Sequence, residues 1–353
     1  MDRSQPTAHA LVPEGGRVVI FRALPGLGDF LCVTPALRAL RRHRPDVQVS
    51  YVGLPSTAFL VRRYPHLVDR FLAFPGYHGL PESEADPRRV AAFLRLCREI
   101  RFDLAIQLHG SGTVSNDVVR QLGAARVAGF LPAAVEEPSA AGVDDSVAPR
   151  SRTGGRAAAL PPLFLPWIEA MPEIERCVAL MAHLGWPSDD LRPEFSIAPG
   201  TLASGIEGAY VVVHAGASTA QRRWPVESFR DVAASIARRG LRIVLTGTTE
   251  DRERNGAIAD GLPADTLDLA GRTTLDELAV VLRGSRLLVA NDTGVAHLAA
   301  ALDVPSVVVF TGSDESRWAP LDRERHAAVR GGVADVLREV DRRLAGSGVR
   351  HAA

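Results

Sequence analysis

The stretch "LLVANDTGVAHLAAALDVPSVVVF", Leu287 to Phe310, decides the fold. An aliphatic run breaks at Asn291-Asp292-Thr293-Gly294, a longer apolar period follows, and a β-branched run closes the segment. Strand, turn, helix and strand in this order make a parallel crossover unit. The same plan extends in both directions. Downstream of "AYVVVHAG" (209–216), strands are predicted at 241–246, 266–269, 286–290 and 305–310, with helices at 226–239, 250–260, 274–283 and 294–302. Upstream, strands at 17–21, 47–53, 70–76, 103–110 and 125–130 interleave with helices at 35–44, 57–64, 87–100 and 113–122. Strands alternating with helices imply parallel sheets covered on both faces. The expectation is an α/β protein of two Rossmann-like, doubly wound domains, with ligand in the cleft at the carboxyl ends of the strands.

Between the halves the signal fades. Residues 131–166, rich in Ala, Pro, Gly and Ser, read as a loop or linker, and a helix at 173–186 precedes a Pro-rich crossing. The expected organisation is an N-terminal domain over 1–166, an inter-domain helix and linker over 167–208, a C-terminal domain over 209–331, and a terminal helix and frayed tail over 332–353.

The 353 residues carry no net formal charge, so no global positive field draws the protein to nucleic acid. An anionic ligand needs a local site. All 41 basic residues are arginine, read first as a compositional habit and only locally as a grip for carboxylates or phosphates. Cys32, Cys97 and Cys177 stand apart in apolar helical contexts, without metal-ligand spacing, and read as buried thiols. The N-terminus lacks the apolar core of a signal peptide, and no run approaches the roughly 20 apolar residues that span a bilayer. A cytoplasmic protein is expected, with any membrane contact peripheral.

"LPGLGDF" (24–30) opens like a dinucleotide fingerprint, but Leu31 stands where its third glycine belongs, which argues against NAD. Gly26 and Gly28 still form a turn, and Asp29 stands at the start of a helical run. Asp29 is equally readable as a helix cap and as a general base. Thr34 and Pro35 supply a second plausible helix start.

In "HAGASTAQRRWPVESF" (214–229), Ser218 lies in a small-residue turn after a strand, followed by Arg222 and Arg223. One arginine here suits a diphosphate, Arg223 reads better as a loop brace, and Trp224 as a packing anchor. Asp292, Thr293 and Gly294 stand at a helix start, where unpaired N–H groups favour a phosphate, with His297 one turn further in. Glu250, after another strand, fits either the hydroxyls of a ribose or a first-turn carboxylate.

Taken together these residues resemble glycosyltransferase family 9, typified by the ADP-heptose:lipopolysaccharide heptosyltransferases. The resemblance runs from about Arg17 to Pro320 and implies a GT-B fold, two Rossmann-like domains facing a central cleft. Gly28-Asp29 with Pro35-Ala36-Leu37 matches the family's N-terminal motif, which implies Asp29 as the catalytic base. Gly216-Ala217-Ser218 followed by Arg222-Arg223-Trp224-Pro225 matches its donor-phosphate motif, with arginine at 222 in place of the family's lysine. Asp292-Thr293-Gly294-Val295-Ala296-His297 is intact and implies a diphosphate cradle. By the same resemblance Glu250 takes the ribose, and Gly271, Arg272 and Thr273 line the base. Phe310-Thr311-Gly312-Ser313-Asp314 departs from the family's Phe-Gly-Pro-Thr-Asp.

The implied reaction is inverting, metal-independent transfer of a sugar, ADP-heptose being the first-choice donor. It needs no cofactor beyond that co-substrate. The acceptor is a hydroxyl of a glycan, glycolipid or small molecule, lipopolysaccharide core being the family's usual one. A nucleotide-sugar 2-epimerase of the same architecture and a non-catalytic sugar-nucleotide-binding protein are the alternatives. Product analysis without acceptor separates the first of these.

Overall fold

A computed structural model describes residues 11–82, 84–132, 162–202 and 205–346. The N-terminal half holds a six-stranded parallel sheet. Its strands are β1 (Arg17–Phe21), β2 (Gln48–Gly53), β3 (Arg70–Ala73), β4 (Leu104–Gln107), β5 (Arg126–Pro132) and β6 (Phe164–Trp167), in the order β3-β2-β1-β4-β5-β6. The C-terminal half repeats this with β7 (Tyr210–His214), β8 (Arg242–Leu245), β9 (Leu267–Asp268), β10 (Leu287–Asn291), β11 (Ser306–Val309) and β12 (His326–Val329). Its order, β12-β11-β10-β7-β8-β9, is again parallel throughout. In each half the first strand is central, and the winding reverses between it and the fourth. Crevices open at such switch points, beyond the carboxyl ends of the strands.

Central strands read as unbroken apolar runs because both their faces are covered. Along β1, Val18 and Ile20 join one buried cluster with Leu37 and Ile106, while Val19 and Phe21 join another with Phe93 and Val118. Val211 and Val213 of β7 likewise face one way, and Tyr210 and Val212 the other. The N-terminal sheet is covered by α1 (Leu27–Leu31), α2 (Thr34–His43), α3 (Ala58–Val61), α4 (Pro87–Ile100) and α5 (Ser115–Gln121). The crossing helix α6 (Glu173–His183) packs into this same core through Cys177 and Met181. The C-terminal sheet carries α7 (Val226–Ala237), α8 (Arg252–Ala259), α9 (Leu275–Gly284), α10 (Gly294–Ala301), α11 (Glu315–Trp318) and α12 (Val333–Gly346).

Two strands depart from the sequence reading. The stretch 131–166 is sheet at both ends: β5 runs to Pro132, and β6 pairs with it from Phe164. The intervening part of that reading, 133–161, lies outside the described residues, as does the tail from 347. β12 was not expected either, since His326–Val329 is short and follows a charged run. Both are edge strands, where apolar patterning is weakest.

The two helix starts predicted near Asp29 both exist. α1 and α2 are consecutive short helices, and Pro35 lies in the first turn of α2. Cys32, Cys97 and Cys177 are buried and free. No helix among the described residues is long and apolar enough to cross a membrane.

Candidate active site

The two halves meet where α1 lies against α10. Leu31 is buried in the C-terminal core with Val295 and Leu298. A methyl group on Gly28 would stand 2.5 Å from His297 Cδ2, and one on Gly294 would stand 3.2 Å from the Gly28 nitrogen. Glycine at both positions permits the approach.

Asp29 is the third residue of α1, and its Oδ2 accepts the Gly26 N–H at 3.1 Å. That N–H is therefore spent on the carboxylate, and the turn holds Asp29 in place. Behind it, Arg22 is 1% exposed and donates from Nε to the Asp29 carbonyl (2.9 Å) and from Nη1 to the Leu108 carbonyl (2.6 Å). The same Nη1 reaches Glu173 Oε1 at 2.8 Å. Burial, the largest single effect, pulls the guanidinium toward neutrality, but Glu173 together with the other acidic neighbours, Asp29 among them, overcomes it and keeps Arg22 charged. Burial likewise opposes the Glu173 charge, and Arg22 with Arg317 overcomes it, holding that carboxyl at about 2.

In the C-terminal half, the turn after β7 is pinned by two residues. The buried Asn291 donates to the Ala215 carbonyl (2.8 Å) and accepts the Trp224 N–H (3.0 Å), and Arg223 Nε donates to the Ala217 carbonyl (3.0 Å). Trp224 packs edge-on against Phe229, as a core anchor. Arg222 is left half-buried, its guanidinium without a hydrogen bond or ion pair to any described residue. Thr293 caps α10 in extended backbone without a side-chain bond, so first-turn N–H groups stay available.

The turn after β8 is held by the buried Asp251, whose Oδ2 accepts from the Thr248 nitrogen (2.9 Å) and hydroxyl (3.1 Å). Glu250 projects beside it, exposed, its carboxyl lowered by the Thr248 hydroxyl. Gly271 has φ +65°, the left-handed region, with Thr249 filling the space of a side chain.

These segments line one cavity of about 820 Å³ between the halves. Gly26, Gly28 and Asp29 enter it from one side, and Ser218, Arg222, Glu250, Gly271, Thr273, Asp292, Thr293, Gly294 and His297 from the other. Arg272 is the exception. Its side chain is exposed and lies outside the cavity lining, because the left-handed turn at Gly271 presents Thr273 there instead.

Sequence reasoning passed over His214, Thr248, Leu275 and Leu278, which line the same cavity. His214 was findable as the last residue of a strand at the switch point. Leu275 and Leu278 read only as helix core, although the capping box of Thr274 and Glu277 marks the helix start that holds them.

His297 is buried, with Cys32 Sγ 3.6 Å from its Nδ1 and Trp318 edge-on at 6.2 Å. Burial holds its pKa below the usual histidine range, against the pull of Asp292 and Asp29. Burial also lowers His214 to about 4. Among the described residues no group of three or more His, Cys, Asp or Glu is placed to hold a metal ion.

Comparison with known proteins agrees with this architecture. The model of glycosyltransferase family 9 (heptosyltransferase) matches residues 90–333. Lipopolysaccharide heptosyltransferase 1 of Pseudomonas aeruginosa is 30% identical over 293 residues, covering 80% of this chain and 76% of that one. Among solved structures, E. coli ADP-heptose lps heptosyltransferase II superposes with a TM-score of 0.67 at 20% identity, covering 95% of this chain and all 100% of the other. A family 9 glycosyl transferase from Veillonella parvula gives 0.68 at 16% identity, covering 95% and 98%. The solved structures share the two-domain GT-B fold, and the family match and the Pseudomonas relative settle the class: the chain belongs to glycosyltransferase family 9.

Proposed function

We propose that this glycosyltransferase moves heptose from ADP-heptose to a hydroxyl of a lipopolysaccharide-type acceptor, with inversion and without a metal. The observation that carries the reading is the meeting, in one cavity, of a carboxylate from one half and an uncommitted arginine beside an open helix start from the other. The names of the relatives supply the heptose and the lipopolysaccharide, and a solved E. coli heptosyltransferase WaaC with ADP, TM-score 0.67 at 20% identity, suggests the base.

In this reading residues up to 166 form the acceptor side, 167–208 the crossing, 209–331 the donor domain, and 332–353 its closing helix and tail. Glu250 takes the ribose hydroxyls, and Gly271 and Thr273 flank the adenine over Leu275 and Leu278. Arg222, Ser218 and the N–H groups at Thr293 and Gly294 meet the diphosphate. Asp292 and the neutral His297 shape the floor beneath it.

Asp29 accepts the acceptor's proton as its oxygen attacks the anomeric carbon, and the bond to ADP breaks on the opposite face. Negative charge then gathers on the leaving diphosphate, where fixed donors stabilise the transition state most. The arginine and the helix start supply that charge compensation, the task a cation performs in metal-dependent transferases. Packing of α1 on α10 keeps water from the anomeric carbon. The protein works in the cytoplasm, touching peripherally the membrane that carries its acceptor.

Asp29→Ala tests the assignment. Transfer falls a hundredfold or more while ADP binds as in the wild type. Wild-type turnover by that variant would refute Asp29 as the base.

A further inference from the structure

Arg22 keeps one donor in reserve. Its Nη2 is buried and has no hydrogen-bond partner among the described residues, and it lies 4.0 Å from Asp29 Oδ1. The other two nitrogens are fixed by the Asp29 and Leu108 carbonyls and by Glu173. A buried unpaired donor is costly, so a guanidinium held this way wants an occupant for the remaining corner. Asp29 Oδ2 is taken by Gly26, which leaves Oδ1 as the oxygen that meets both the acceptor hydroxyl and Arg22.

Glu173 fixes the guanidinium in turn. It is 2% exposed at the first position of α6, and it also pairs with Arg176 at 3.4 Å and with Arg317 at 3.0 Å. Arg317 comes from α11 of the C-terminal half, lies over Trp167 and Trp318, and so carries the link back to the cavity wall. The other titratable groups around this centre are Tyr51 of β2, Cys32 after α1, Cys177 of α6 and His297 of α10. Burial pushes the phenol and both thiols up, and holds His297 down, so all four are neutral at pH 7. The local charge belongs to Arg22, Glu173, Asp29 and the flanking Arg176 and Arg317.

We propose that Arg22 is the positioning residue of the base: it orients the Asp29 carboxylate through Nη2 and the Asp29 carbonyl, and Glu173 locks it there by bridging to Arg317 of the donor half. The inference rests on the reading of Asp29 as the base. Arginine is required because a planar fork reaches three acceptors at fixed angles, which an ammonium does not.

The test compares wild type, Arg22→Met, Arg22→Lys, Asp29→Asn and the double variant Arg22→Met/Asp29→Asn. Turnover of ADP-heptose with heptose-free lipopolysaccharide, calorimetric ADP binding and denaturant unfolding are measured for each. Arg22→Met is expected to lower kcat about a hundredfold with KM for ADP-heptose and Kd for ADP within about twofold. Arg22→Lys restores part of kcat. The unfolding cycle reads the contact without turnover: the double variant shifts the folding equilibrium at least about fivefold less than the two single shifts multiplied.

If Arg22→Met does not fold, Arg22→Lys decides by the same split of kcat from KM. Unchanged kcat in a folded Arg22 variant, or an additive cycle, overturns the proposal. If the wild type does not turn over this substrate pair, the substrate reading fails and the cycle alone decides the positioning role. If Asp29→Asn keeps wild-type turnover, Asp29 is not the base, and the proposal falls with it.

Discussion

Gly28 shows how a single residue is fixed by what it must not carry. Its missing side chain is the space His297 occupies, so Gly28→Ala sets a methyl 2.5 Å from that ring. Overpacking of this kind costs about 1–3 kcal/mol, and here it also prises α1 from α10. The expected result is a lower denaturation midpoint together with weaker ADP binding, read by urea unfolding and calorimetry. Arg222 has no hydrogen-bond or ion-pair partner for its guanidinium among the described residues. Arg222→Ala is expected to weaken ADP at least tenfold, charge-assisted bonds to phosphate being worth about 1.5–3 kcal/mol. Arg222→Lys keeps the charge and loses only a few fold. Equal loss in both variants would mean that the fork, rather than the charge, grips the diphosphate. At this scale the sequence was informative because Asp29, Ser218, Arg222 and Asp292 to His297 sit in motifs whose spacing is visible without coordinates. Arg22 and Glu173 were invisible. They lie 151 residues apart, and nothing in either local stretch announces a buried pair.

The elements that matter most are the turns after the strands. Asn291, fully buried at the end of β10, ties the Ala215 carbonyl to the Trp224 N–H and so hangs the Arg222 turn on the sheet. Asn291→Ala leaves both backbone groups unpaired. It is expected to cost about 2–4 kcal/mol, at 1–3 kcal/mol per orphaned group with partial relief by water, and to weaken ADP binding as Arg222 drifts. A variant that loses stability but binds ADP normally would show that Arg222 is placed by something else. The central strands could be read from sequence because they are apolar throughout, and the long helices because their period is clear. β6 and β12 could not, since each is a four-residue run beside Pro-rich or charged sequence and so resembles a loop. α1 was only half legible: a five-residue helix has too few turns to show a period, and Asp29 looked like a cap because it does cap, through the Gly26 N–H.

Across the whole molecule, the halves are joined at more than the cavity. Arg63 of the N-terminal half grips Asp276 at the start of α9, and Asp276 also accepts the Ala198 N–H of the crossing. Three of the buried histidines then set the response to acid. His214 and His326 are held at about 4 by burial, and His297 is lowered too. Each favours the folded state fully above the ordinary histidine value near 6.5 and loses that contribution as pH falls toward the lowered one, on the order of 3 kcal/mol for each of the first two. Glu173, held at about 2, adds a further loss below its ordinary value. Stability is therefore expected to be flat from pH 7 to about 8 and to drop steeply between pH 6.5 and 4, with a second fall above about pH 9, where thiols that burial raises in the folded state ionise in the unfolded chain, as read by urea midpoints. A midpoint constant down to pH 4 would contradict the burial of these rings. Calorimetry of ADP, UDP, GDP and dTDP in buffer with a chelator reads what fills the cavity these halves enclose. ADP is expected to bind best, without metal, and Arg222→Ala to weaken it at least about tenfold. Absence of binding by all four nucleotides, or binding that appears only with a divalent cation, would contradict it.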